Sequence, residues 1–302
     1  MLVNRLREAG FDQVIVIPQA DCGIPGDGSV VIALWGYEAE ACPAEDEAWI
    51  HPYYDASQRA YLAAKSIAGE LGGVSLRDDI RVKPIFARLP GFSQGYNTLS
   101  YVEGLGSRFH VQVFLTEAPL SPTHALEDKP HALHCGDCRC CLSACPTGAI
   151  GEDGFHRERC LRNWMMSGKP VPEAARTMGH RLIGCDDCQR CCPKNPVPTG
   201  ESNEAVSLRA LLEHPGESCA ALRERIGANL SIPNRVLGQA CLIAGSLKRK
   251  DLIPSLEALA AHPSETVREH AAWALEQMNV DHFKQSIKNQ ANSEHKQGDV
   301  ID

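Results

Sequence analysis

Short apolar runs open the chain. Leu2, Val3 and Leu6 share one face of a first short helix. Val14 to Ile17 and Val30 to Leu34 are β-branched runs bounded by Gly and Pro, the pattern of buried strands. Over 55–71, Ala60, Ala64, Ile67, Ala68 and Leu71 recur with a helical period. Phe109 to Leu115 alternates as a strand does, and a Pro- and His-containing stretch over 119–134 reads as a linker. Far downstream two stripes stand out. One is Val236, Leu237, Ala240, Cys241, Ala244 and Leu247; the other is Val267, Ala271, Ala274, Leu275 and Met278. Pro254 and Ser264 mark helix starts there, and the segment 203–279 reads as all-helical, built of paired helices. The polar tail from about 284 has no period and reads as disordered.

These patterns predict an α+β protein in four regions: an α/β part over 1–130, a cysteine module over 131–200, a helical part over 201–283 and a tail over 284–302. Composition adds limits. The chain has 302 residues, 43% of them hydrophobic and 23% charged, as expected of a globular protein. Its net charge of −8 excludes a whole-surface nucleic-acid binder, so nucleic-acid contact would need a local basic patch. Candidates are His156, Arg157, Arg159, Arg162, Lys169, Arg176 and Arg181, and the run Lys248-Arg249-Lys250. Solvated helix faces around anionic clusters are the simpler reading of the same residues. No apolar stretch is long enough for a membrane span, and the first residues are too polar for a secretory signal. A cytoplasmic protein with reduced thiols is the expectation.

Cysteine changes the picture most: there are 14, and ten lie between Cys135 and Cys192. Cys135-x2-Cys138-x2-Cys141-x3-Cys145-Pro146 has the bacterial ferredoxin spacing for a 4Fe-4S cluster. In that arrangement the fourth cysteine ligates a second cluster, which demands a second motif. Cys160 and Cys185-x2-Cys188-x3-Cys192-Pro193 supply it. The partition is crossed: Cys135, Cys138, Cys141 and Cys192 for one cluster, and Cys145, Cys160, Cys185 and Cys188 for the other. The separation of Cys160 from Cys185 predicts a helical insertion over 162–183. Two zinc ions could use eight cysteines, but Cys-Pro after each x3 gap is a ferredoxin habit. Cys140 and Cys191 read as non-ligands. Cys22, Cys42, Cys219 and Cys241 read as buried apolar thiols, and His131 and His134 as surface residues beside the module. Two clusters form a relay, so electrons must leave to a partner, a cofactor or a substrate. No dinucleotide or phosphate-loop fingerprint is present.

The chain resembles the epoxyqueuosine reductases. CGDCRCCLSACPTGAI, the separated Cys160 in RERCLRN, and GCDDCQRCCP carry the resemblance. GSRFHVQVFLTEAPL at 106–120 extends it, as does AHPSETVREHAAWALEQM, which is similar to that family's HEAT-like hairpin. The resemblance implies base-off cobalamin held by an α/β domain related to reductive dehalogenases, with clusters reducing cobalt for reductive epoxide removal in tRNA. It implies an external low-potential donor such as ferredoxin or flavodoxin. By position it nominates Tyr96, Asn97, Thr98 and Ser107, with Arg162 and Asp186 on the cluster side, as cofactor-binding residues. The family's proton donor is an Asp in a Val-Asp-Ser-Ala-Pro segment. Here the matching stretch is Ile80-Arg81-Val82-Lys83-Pro84, so a guanidinium that cannot release a proton stands at the acid position. Asp79 and Tyr96 are the substitutes at hand. The competing readings are a two-cluster electron-transfer protein without corrin and a corrinoid-reducing protein without tRNA activity.

Overall fold

The structure, a computed structural model, describes residues 1–39, 47–128, 130, 135–197 and 205–278. The first elements are α1 (Leu2–Glu8), β1 (Gln13–Pro18), β2 (Ser29–Gly36), β3 (Glu47–Ile50) and α2 (Tyr53–Glu70). Next come β4 (Val74–Arg77), α3 (Val82–Phe86), β5 (Phe92–Gln94), β6 (Ser100–Val102) and β7 (Phe109–Thr116). The cysteine region holds α4 (Cys140–Ala144), β8 (Ile150–Gly151), β9 (Gly154–Phe155), α5 (Leu161–Ser167), β10 (Arg181–Ile183) and α6 (Asp187–Arg190). The C-terminal part holds β11 (Val206–Ser207), α7 (Leu208–Glu213), α8 (Pro215–Ile226), α9 (Pro233–Ser246), α10 (Ile253–Leu259) and α11 (Glu265–Gln277).

Two compact, interleaved units result. One draws its described residues from Met1–Ala41, His51–Arg159 and Asp186–Glu201; the other draws them from Cys42–Ile50, Cys160–Cys185 and Ser202–Asp302. Cys160 and Cys185 therefore fall in the second unit, and the other six expected cluster ligands in the first.

The first unit is built on an antiparallel sheet in the order β1-β2-β7-β4. Side chains alternate across a strand, so each apolar run splits between two cores. Val14, Val16, Val31, Ala33 and Phe114 pack with Leu2 and Leu6 of α1 and with Ala60, Ala64 and Ile67 of α2. Ile15, Ile17, Val30, Ile32 and Leu34 pack on the opposite face with Ile85, Phe86, Leu89 and Phe92. Both faces are covered, which is why β1 and β2 read as unbroken β-branched runs. Each such side chain contributes roughly 1.5–3 kcal/mol of burial. The short strands β4, β5 and β6 carry no comparable run.

In the second unit β3 lies between β10, to which it is parallel, and β11, to which it is antiparallel. This corrects two expectations. The segment 162–183 is not a helical insertion: α5 ends at Gly168, whose φ of 69° is left-handed, Pro170 and Pro172 follow, and the chain returns as β10. The segment 203–279 is not all helix, because Val206–Ser207 pairs with β3. Both downstream stripes pack as expected, except that Leu247 is only half-buried at the end of α9. Helix α9 is buried all round from Val236 to Gly245, so it is a core helix. Glycines open the seam between α9 and α11. A Cβ on Gly238 would lie 3.1 Å from His270 Nδ1, and one on Gly245 would lie 2.7 Å from Ala274 Cα. The expected tail, together with Cys42, His131 and His134, lies outside the described residues.

His270 ties this seam to the segment after α5. The Val171 N–H donates to Nε2 over 2.9 Å, so Nδ1 carries the proton and donates to Gly238 O over 3.0 Å. Burial pulls the imidazole pKa from 6.5 down to about 4. Between those values the unfolded chain binds a proton that the folded chain does not. The stabilisation is therefore full above pH 6.5 and is lost as pH falls towards 4. The expected loss between pH 6.5 and 5 is about 2 kcal/mol from this group. Urea unfolding of His270→Leu at both pH values checks it. The variant should be weaker at neutral pH and lose less on acidification; an unchanged acid slope would contradict the assignment.

Candidate functional site

The two cysteine motifs share a local fold. Helix α4 starts from Arg139 at φ −127°, ψ 13°, and α6 starts from Asp186 at φ −127°, ψ 11°. Counting from these caps pairs Cys138 with Cys185, Cys141 with Cys188, and Cys145-Pro146 with Cys192-Pro193. Cys140 then matches Asp187 and Cys191 matches Ala144, so neither extra thiol occupies a repeated position. The Ala149 N–H donates to Cys145 Sγ over 3.2 Å, the kind of bond that tunes a cluster thiolate. Among the described residues no three His, Cys, Asp or Glu side chains converge as they would on a single metal ion. Of the remaining cysteines, Cys219 and Cys241 are buried as expected. Cys22 is only half-buried; the dry surroundings it does have, beside Asp21, push its thiol pKa up to about 11.

Around the loop that carries Cys188 and Cys192, the first unit gathers buried polar groups from four parts of the chain. Gln189 is the hub. Its Nε2 donates to Tyr37 Oη at 3.0 Å and to Ser107 O at 3.0 Å, and its Oε1 lies 2.9 Å from His51 Nε2. Asn195 Oδ1 accepts from Ser107 N at 2.7 Å and from Ser107 Oγ at 3.1 Å, while Asn195 Nδ2 donates to Gln189 O at 2.8 Å. Asn97 Nδ2 donates to Tyr101 Oη at 2.8 Å and to Cys188 O at 3.2 Å. Asp186 is 4% exposed and pairs with Arg190 at 2.6 Å. Burial raises the Tyr37 pKa and lowers that of His51, so both stay neutral at pH 7.

The residues nominated from the sequence separate here. Asn97, Ser107 and Asp186 are buried, with their polar groups turned onto protein partners. Tyr96 and Thr98 are half-buried within a turn closed by Thr98 N to Gly95 O. The Arg139 guanidinium sits 4.4 Å above the Tyr96 ring and pairs with Glu152 at 2.8 Å. Thr98 has φ 62°, a strained value for a β-branched residue, and its carbonyl accepts from Lys83 Nζ at 2.8 Å. The Tyr96 and Thr98 hydroxyls have no protein partner among the described residues. Arg162 is exposed on α5, in the second unit.

Arg81 caps α3 and lines a cavity of about 730 Å³ in the first unit, with Asp79, Arg77, Arg88, Cys22 and Ile85 also on its walls. Asp79 is held by Arg77 at 2.6 Å, and the hydrogen bonds from that guanidinium lower its carboxyl pKa. It is an ionised acceptor, unsuited to donating a proton at neutral pH. Several expected phosphate contacts are also committed: Arg176 to Glu269, Arg249 to Asp251 and His156 to Asp153. Gln189, Tyr37, His51, Tyr101 and Asn195 were not among the residues nominated from the sequence. The one local signal was the position of Gln189 between two expected ligands.

Residues 134–195 match the family described as a 4Fe-4S double cluster binding domain. A curated epoxyqueuosine reductase from Pseudomonas aeruginosa is 31% identical over 238 residues, which is 72% of this chain and 64% of that protein. Those from Alicycliphilus denitrificans and Bacillus subtilis are 33% and 29% identical over 61% of this chain, and 55% and 50% of theirs. This chain is a relative of the epoxyqueuosine reductases. It spans between half and just under two thirds of the length of these curated relatives. An epoxyqueuosine reductase solved with an epoxyqueuosine-modified tRNA-Tyr stem loop superposes with a TM-score of 0.72 at 18% identity, over 95% of this chain and 92% of that one. The Streptococcus thermophilus epoxyqueuosine reductase gives 0.70 at 18% identity, over 92% and 89%. The fold of this chain is therefore theirs. No described helix is long and apolar enough to cross a membrane.

Proposed function

We propose that this chain is a cobalamin- and iron–sulfur-dependent reductase that removes an epoxide oxygen, or a related group, from queuosine-type tRNA. The double cluster module in a chain related to epoxyqueuosine reductases carries the reading. The donor set fits the clusters: Cys135, Cys138, Cys141 and Cys192 would hold one, and Cys145, Cys160, Cys185 and Cys188 the other. The Tyr96–Thr98 turn suits a corrin, whose rim is made of amides. It offers two hydroxyls that have no protein partner among the described residues, on a turn held by Lys83 at its carbonyl and by Arg139 at the Tyr96 ring. Bound cobalamin would supply the low-valent metal chemistry. Asn97, Ser107 and Asp186 would hold the cluster loop in place, and Arg162 is kept as a nominated cofactor-binding residue. The helices of the 201–283 region, α7 to α11, read as HEAT-like helical hairpins. The tRNA partner, a ferredoxin or flavodoxin donor and a cytoplasmic setting belong to the same proposal.

Loss of the leaving oxygen needs a proton. Arg81 cannot release one at neutral pH and Asp79 is ionised, so Tyr96, whose hydroxyl has no protein partner among the described residues, is the favoured donor. The test is conversion of epoxyqueuosine to queuosine in purified tRNA, with cobalamin and a chemical reductant. Tyr96→Phe should slow the reaction on the order of 10²-fold, and Arg81→Asp should speed it at least about tenfold. No conversion by the cobalt-loaded protein or by Arg81→Asp would instead favour the corrinoid-reducing reading, which the guanidinium at position 81 supports. Iron without cobalt would favour the electron carrier.

A further inference from the structure

We propose that the side-chain amide of Gln189 is a positioning residue that fixes the spacing between the Cys188 and Cys192 thiolates, one for each cluster; this rests on the reading that the cysteines hold two clusters. The orientation of the amide is determined by its neighbours. Tyr53 N–H donates to His51 Nδ1 over 3.0 Å, so the neutral imidazole carries its proton on Nε2 and donates it to Gln189 Oε1. Ser107 O can only accept, so Nε2 must face it. The Tyr37 hydroxyl completes the set from the strand side, after β2. One side chain thus ties the turn between the two ligands to three points of the sheet unit. Its main-chain carbonyl holds the same turn from within, accepting from Cys192 N at 3.3 Å and Asn195 Nδ2 at 2.8 Å.

The repeat shows that this is an addition to the cluster fold. At the matching place in the first motif stands Leu142, so a cluster turn of this shape forms without the amide. Gln189→Leu makes the two motifs alike at that position and leaves His51 Nε2–H, Tyr37 Oη and Ser107 O without this partner. Iron should still bind, while the turn between Cys188 and Cys192 relaxes.

The experiment compares anaerobically purified wild-type protein with Gln189→Leu and Tyr37→Phe, reading iron per chain, reduction potentials and the electron paramagnetic resonance of the fully reduced protein. In Gln189→Leu, iron should stay at about eight per chain, the splitting from coupling between the two reduced clusters should change and the potentials should shift. Tyr37→Phe should give a smaller change in the same direction. The double variant should match Gln189→Leu, because the hydroxyl acts through the amide. Wild-type coupling and potentials in a fully loaded Gln189→Leu overturn the proposal. If Gln189→Leu does not assemble, unchanged spectra in Tyr37→Phe overturn it. Wild-type iron well below eight would overturn the cluster reading instead.

Discussion

Cys188→Ala is expected to lower iron from about eight to about four per chain and to abolish electron delivery beyond the clusters. A 4Fe-4S cluster is held by four cysteine thiolates, and Cys188 occupies the place in α6 that Cys141 holds in α4. Asp187 and Gln189 flank it, and neither offers a thiolate. Cys191 lies three residues on, but at the position matched by Ala144, so it is not placed to stand in. The control is Cys191→Ala, which should keep about eight irons; Cys140→Ala should do the same. Iron analysis and the visible absorbance of the clusters read both outcomes. Full iron in Cys188→Ala, or half in Cys191→Ala, would show that the ligand register is wrong.

Gly245→Val is expected to be the most damaging single change in the helical unit. A Cβ there would stand 2.7 Å from Ala274 Cα and 2.8 Å from the Trp273 ring. The first obstacle is backbone, so no side-chain rotation relieves it, and α9 and α11 must separate. Ala274 and Leu275 are fully buried at this seam, and separation exposes them. Overpacking of about 3 kcal/mol gives a fall in melting temperature of about 5–10 °C. Gly216→Ala is the comparison. Nothing lies within 4 Å of its Cβ position in α8, so it should stabilise by about 0.5–1 kcal/mol. A Gly245→Val protein melting with the wild type would contradict the seam.

The legible parts of the fold were those where one physical signal dominates. β1 and β2 announced themselves because both sheet faces are covered, β7 through its alternation, α2 and α11 because their buried positions recur with a helical period, and α9 through an apolar stripe that is only part of its buried surface. β10 and β11 did not, since each is two or three residues long and exists only through pairing with β3. Gly168, Pro170 and Pro172 are breakers within 162–183, and the expectation of a helix there passed over them. Likewise the cysteine spacing was legible because cluster geometry constrains neighbours in sequence. The polar shell was not: Gln189 meets Tyr37 across 152 residues and His51 across 138, and no local pattern encodes such contacts.

Cobalt and iron per chain, measured after anaerobic purification and incubation with excess cobalamin, test the reductase account most directly. A cobalamin-dependent reductase should hold about eight irons and about one cobalt, the content of two 4Fe-4S clusters and one corrin. About eight irons with no cobalt would contradict it and leave an electron carrier.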